Sequence, residues 1–115
     1  MKYNSDSPSI SGNQLLAILA ALASPPRLRI IAALTANGRN YVSQLAREVD
    51  ISRPLLHLHL QKLEAAGLVT SKMELSDDGK ALNYFEVTDF NLTLNAPAIH
   101  EAAATLTATS TKPDI

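Results

Sequence analysis

The side chains that come nearest to a reactive or metal-binding set are His57 and His59, two imidazoles separated by one leucine. On a helix they would diverge by about 200° around the axis, so they could not close on one metal ion. The chain has no cysteine, which excludes thiolate metal sites, disulfides and thiol redox switches. It has no glycine-rich phosphate loop, no Gly-x-Ser-x-Gly and no carboxylate pair converging on one helix face. We expect no catalytic residues, no metal and no cofactor.

The element that must position these histidines is Ser52-Arg53-Pro54-Leu55-Leu56-His57-Leu58-His59-Leu60-Gln61-Lys62-Leu63. Ser52 can cap a helix by accepting from a free first-turn amide, and Pro54 gives up an amide that would lack a partner there. At about 100° per residue, Leu56, Leu60 and Leu63 fall in one stripe, with Pro54, Leu58, Gln61 and Lys62 opposite. One face packs and the other is presented. Upstream, Ser43 to Val49 is predicted as a shorter helix capped by Ser43, with Asp50 and Ile51 as the turn between the two helices. Downstream, Gly67 supplies a left-handed stop, and a hairpin follows.

Three motifs carry a family resemblance: Ala23-Ser24-Pro25-Pro26-Arg27-Leu28-Arg29-Ile30-Ile31, then Ser52-Arg53-Pro54 with His59-Leu60-Gln61-Lys62-Leu63, then Ala66-Gly67-Leu68-Val69. In this order, with the hairpin after them, they resemble the winged helix-turn-helix of the ArsR/SmtB family of bacterial and archaeal repressors, over about residues 13 to 90. The resemblance implies a fold of order α-α-(β)-α-α-β-β-α, mainly α with a small β-hairpin wing, dimerised through its first and last helices. His100-Glu101 is similar to part of that family's terminal-helix metal site, but a second histidine and the spaced acid are missing.

Donors on the presented helix set the expected chemistry. Arg53, His57 and Gln61 are the candidates for base contacts, since arginine suits guanine and glutamine suits adenine in bidentate pairs. Ser43, Gln44 and Ser52, at helix starts, are candidates for backbone phosphates, with Lys62, Lys72 and Lys80. His59 sits at the edge of the buried stripe, where a hydrogen-bonded boundary role outweighs base contact. Leu55 and Leu58 fall toward the presented side; an apolar side chain there could meet only a thymine methyl, or a protein partner.

The net charge of −1 is low for a nucleic-acid binder, so any basic face must be local. Arg39, Arg47, Arg53, Lys62, Lys72 and Lys80 fall in or beside the helix-turn-helix and wing, diluted by Asp50, Glu64, Asp77 and Asp78. With 115 residues and 46% apolar content, one domain with a modest core is expected, over residues 13–107. Residues 1–12 are polar and Ser-rich, which suits a flexible arm, and residues 108–115 should form a flexible tail. The most apolar stretch, Leu15 to Ala23, is too short to span a bilayer, and a cytoplasmic protein is expected.

The first helix, from Asn13, is apolar on more than one side: Leu15, Leu16, Leu19 and Leu22 want both their own core and a second subunit. Ser24-Pro25-Pro26 starts the second helix, in which Leu28, Ile31 and Leu34 make the predicted core stripe and Asn37-Gly38 the stop. Arg27 and Arg29 are expected to be structural or solvated, with phosphate contact as the alternative. Arg39 to Val42 suits a brief third strand, and Ser76 to Lys80 a hairpin loop. Ala96 to Leu106 has high helix propensity and, through Ile99 and Leu106, is expected to join the first helix in the dimer interface.

These residues point to a sequence-specific double-stranded DNA-binding transcriptional regulator, a homodimeric repressor on an inverted-repeat operator. Release from DNA is expected to use a small molecule, a protein partner or no effector at all. The alternative is a winged-helix protein-interaction module that does not bind DNA.

Overall fold

The computed structural model describes residues 10–107. Within them the chain runs α1 (Gly12–Leu22), α2 (Pro25–Asn37), β1 (Asn40–Tyr41), α3 (Val42–Val49), α4 (Arg53–Ala65), β2 (Val69–Leu75), β3 (Ala81–Val87) and α5 (Ala96–Ala103). The three strands form one antiparallel sheet in the order β1-β3-β2, the topology of a winged helix-turn-helix. Of the expected arm, only Ile10 to Gly12 falls among the described residues, where Gly12 opens α1; the expected tail lies outside them.

The described residues fall into two compact units, Ile18–Asn91 and a second made of 10–17 with 92–107. In the larger unit Ile30, Leu34, Leu45, Leu56, Leu60, Leu63, Leu68, Val69 and Phe85 form the buried core. Each fully buried leucine there contributes roughly 1.5 to 3 kcal/mol by leaving water. The α2 stripe differs from the expected one. Ile30 and Leu34, four apart, are buried, whereas Leu28, about 200° around the helix from Ile30, is 53% exposed.

The local signals for α2 and α4 operate as expected. Ser24 accepts from the Arg27 amide and Ser52 from the Leu55 amide, with a proline in each first turn. The turn between α3 and α4 rests on Asp50, the one non-glycine residue with positive φ (58°) among those described; a short polar side chain tolerates that conformation. Ser43 is not the cap of α3. The helix begins one residue earlier, at Val42, because Tyr41 belongs to β1 and leads straight into it, and no side chain caps the first turn.

In the smaller unit the Gly12 amide donates to Thr105 Oγ1 at 2.7 Å, and Asn13 Nδ2 to Thr107 Oγ1. A Cβ at Gly12 would lie 2.5 Å from the Ala102 carbonyl oxygen, so only glycine allows this approach. Leu15 and Ala102 are buried. Helix α5, capped by Asn95 through the Ala98 amide, stops at Ala103, short of the expected Leu106.

Candidate nucleic-acid interface

Helix α4 buries Leu56, Leu60 and Leu63 and leaves Arg53, Pro54, His57, Leu58, Gln61 and Lys62 exposed. Arg53, His57 and Gln61 make no hydrogen bond or ion pair among the described residues, so their donors are available to a ligand. Arg53 and His57 share a groove of about 270 Å³ with Tyr41, Val42 and Ser43 at the start of α3 and Ala81 to Asn83 of β3. The groove therefore joins all three elements of the motif: the first helix, the second helix and the wing. The uncapped amides of α3 open beside it, the polarity that suits a phosphate oxygen. A second depression, lined by Ser43, Arg47, Asp50, Ser52 and Arg53, continues the surface between α3 and α4.

The other backbone candidates are more dispersed. Gln44 is half-buried on α3; Lys62 is exposed on α4, and Lys72 and Lys80 on the hairpin. Ser52 uses its oxygen to accept from the Leu55 amide, which leaves its hydroxyl hydrogen free to donate. Arg39 leaves the expected basic face: its guanidinium donates twice to Glu74 and lies over the Tyr84 ring. One of the two acids at the wing tip has a structural role. Asp78 accepts from Ser76 Oγ and the Lys80 amide, and these bonds, led by that from Ser76, hold its carboxyl below the usual carboxylate range. Glu64 is likewise engaged, by Ser71 Oγ at 3.0 Å.

His59 is half-buried and faces Arg27, whose NH1 lies 3.1 Å from its Nδ1. Burial first, then the charges of Arg27 and Lys62, push its imidazole below the ordinary histidine value. Both expectations for this pair, a hydrogen-bonded boundary histidine and a structural Arg27, match this geometry. Among the described residues no three His, Asp or Glu side chains gather where they could hold a metal ion. Nor is any single described helix long and apolar enough to cross a membrane.

Of the residues expected at a subunit interface, Leu16, Ile99 and Leu106 are 56%, 48% and 44% exposed. Leu15, by contrast, is buried within the chain, one turn on from the close approach at Gly12, and Leu22 packs against the larger unit's core. Leu19 is half-buried. Sequence reasoning passed over Leu94 and Phe90, both exposed apolar residues; the apolar content of the connector before α5 was the available signal.

A three-helix core with a presented second helix and a three-stranded wing defines the winged helix-turn-helix class. Comparison with known proteins agrees. Residues 22–72 match the family described as Helix-turn-helix domain. Over 70 residues the chain is 36% identical to an uncharacterized HTH-type transcriptional regulator of Methanocaldococcus jannaschii, covering 61% of this chain and 72% of the relative. Among solved structures, it is similar to the homodimeric winged helix-turn-helix DNA-binding domain of a possible ArsR-family regulator from Mycobacterium bovis (TM-score 0.59, 26% identity, 76% of this chain and 75% of that one). It is also similar to a transcriptional regulator homologue from Pyrococcus horikoshii (TM-score 0.56, 25% identity, 81% and 86%). The chain belongs to the HTH-type transcriptional regulators, which bind DNA and are not enzymes, and its fold is similar to that of the possible ArsR-family winged-helix domain.

Proposed function

We propose that this protein is a cytoplasmic homodimeric repressor that places α4 in the major groove of each half of an inverted-repeat operator. The observation that carries this reading is the unpaired set Arg53, His57 and Gln61 on the face of α4 opposite its buried leucines. In that reading these three residues read base edges, while Ser43, Gln44, Ser52, Lys62, Lys72 and Lys80 hold phosphates. A two-fold dimer matches a two-fold site, with the α4 copies one helical turn, about 34 Å, apart.

The exposed Leu16, Leu94, Ile99 and Leu106 support self-association, as does the homodimeric state of the Mycobacterium bovis domain. Release from DNA uses a small molecule, a protein partner or no effector, the sequence having no cysteine and the described residues no metal-binding cluster. Selection from random duplex DNA tests the whole reading, with an enriched inverted repeat as the expected result. The second reading, a protein-interaction module, draws on the exposure of Leu55 (42%) and Leu58 (57%) on α4. It gains if no sequence is enriched and substitutions at Arg53 and Gln61 are silent.

A further inference from the structure

Arg27, in the first turn of α2, is tied to two other helices. Its Nε donates to the Ala21 carbonyl at 2.6 Å and its NH2 to that of Ala20 at 3.4 Å, two carbonyls in the last turn of α1 that have no intrahelical donor. Its NH1 lies 3.1 Å from Nδ1 of His59 on α4. A guanidinium can only donate, so Nδ1 is the acceptor and the imidazole proton sits on Nε2. On α4, His59 is about 200° from both His57 and Gln61, so the bond grips the helix on the side away from its free donors. With side chains reaching about 5 to 6 Å from the axis, a rotation of about 20° would move those donors by roughly 2 Å, enough to break a bidentate base contact.

We propose that Arg27 is a positioning residue for DNA recognition, setting the rotation of α4 through its bond to His59 and thereby the reach of His57 and Gln61. This role rests on α4 being the DNA-reading helix. The bond requires a neutral His59: a proton on Nδ1 would replace the acceptor with a donor and set two positive groups against each other. The charges acting on His59 are Arg27 from α2 and Lys62 from α4 itself, both positive, and with burial they keep the imidazole neutral at physiological pH. Protonation of His59 therefore weakens recognition from a residue that does not itself contact DNA.

The test compares the wild type with Arg27→Lys, His59→Leu and His59→Asn, each well below its Tm. Affinity is measured for the selected inverted-repeat duplex and for a scrambled duplex, from about pH 8 to about pH 5.5. Arg27→Lys keeps the charge but cannot make all three side-chain bonds; with His59→Leu it should lose about tenfold on the selected duplex, the usual worth of one charge-assisted hydrogen bond. Scrambled-duplex affinity and the salt slope should stay unchanged. His59→Asn offers an oxygen near the position of Nδ1, so it should recover most of that loss and bind with a flatter pH profile than the wild type. Equal losses on both duplexes with a shallower salt slope would make Arg27 a phosphate contact and overturn the proposal, as would variants indistinguishable from wild type on the selected duplex. In the free protein, imidazole 15N shifts should report an Nε2–H tautomer for His59 that Arg27→Lys disturbs. A shift pattern indifferent to Arg27 would remove the proposal's basis irrespective of DNA, whereas a wild type that selects no duplex sinks the DNA reading and this role with it.

Discussion

The guanidinium of Arg39 holds the carboxylate of Glu74 through both terminal nitrogens, at 2.6 and 2.9 Å, while lying 4.4 Å over the ring of Tyr84. Tyr84 in turn meets Tyr41 edge to face, with ring centroids 5.7 Å apart. The residue entering β1 is thereby linked to β2 and β3, and the link ends at Tyr41, the residue from which α3 starts. The bond from Arg39 keeps the Glu74 carboxyl below its usual range. Its stabilising effect is thus present above the ordinary carboxylate range and is lost as pH falls through the lowered folded value. Both groups are solvent-accessible, so the effect is small and salt-sensitive.

Because Arg39 is already paired, Arg39→Ala should leave the slope of log affinity against log salt unchanged. Lys80→Ala or Lys72→Ala should make that slope shallower by about 1 and weaken all sequences alike. Filter-binding titrations across a salt series distinguish the two behaviours. A shallower slope for Arg39→Ala would show that the Glu74 pair opens on DNA.

Arg53→Ala or Gln61→Ala should cost about 1 to 3 kcal/mol on the selected operator and relax preference at one base pair each. Repeating the selection with each variant shows which position loses its preference. Uniform loss across all positions would assign these side chains to the backbone instead.

Leu58, 57% exposed on the presented face of α4, should meet a thymine methyl, the one apolar group on a major-groove base edge. Replacing single thymines of the operator by uracil removes that methyl and nothing else. One substitution per half-site should weaken wild-type binding and have no effect on Leu58→Ala. If no uracil position matters, Leu58 belongs to a protein contact or to solvent.

Gly12→Ala places a Cβ 2.5 Å from the Ala102 carbonyl oxygen and 2.6 Å from Leu106 Cγ. Relief requires the first turn of α1 and the 102–106 segment to part, at a cost typical of overpacking, about 1 to 3 kcal/mol. Faster amide exchange at Thr105 and Leu106, with a sedimentation profile shifted toward monomer, is the expected result. An unchanged dimer at tens of micromolar, the approximate range in which dissociation would be read, would separate this contact from self-association.

Much of the helix-turn-helix was legible in the sequence because its signals are local. Ser24 and Ser52 before prolines mark helix starts whatever surrounds them, and Gly67 takes a positive φ that other residues resist. The spacing of Leu56, Leu60 and Leu63 likewise identifies the buried face of α4 from period alone. Where local signals compete, the reading drifted. Ser43 has the chemistry of a cap, but strand pairing of Tyr41 with Tyr84 brings the chain into α3 one residue early. Leu28 looked as apolar as Ile30, and only packing against the other helices chose between the two faces of α2.

By itself, then, the sequence determined the order of the elements, the capped starts of α2 and α4, the presented face of α4 and the absence of thiol chemistry, since each depends on residue type and short spacing. Tertiary structure decided which charges remain free. Arg39 and Glu74 are 35 positions apart, and Arg27 and His59 are 32 apart; no helical or strand period connects them. Only the sheet and the crossing of α2 with α4 bring those groups within bonding distance. That proximity removes Arg39 from the basic face and turns His59 inward to Arg27, while Arg53, His57 and Gln61 are left unpaired.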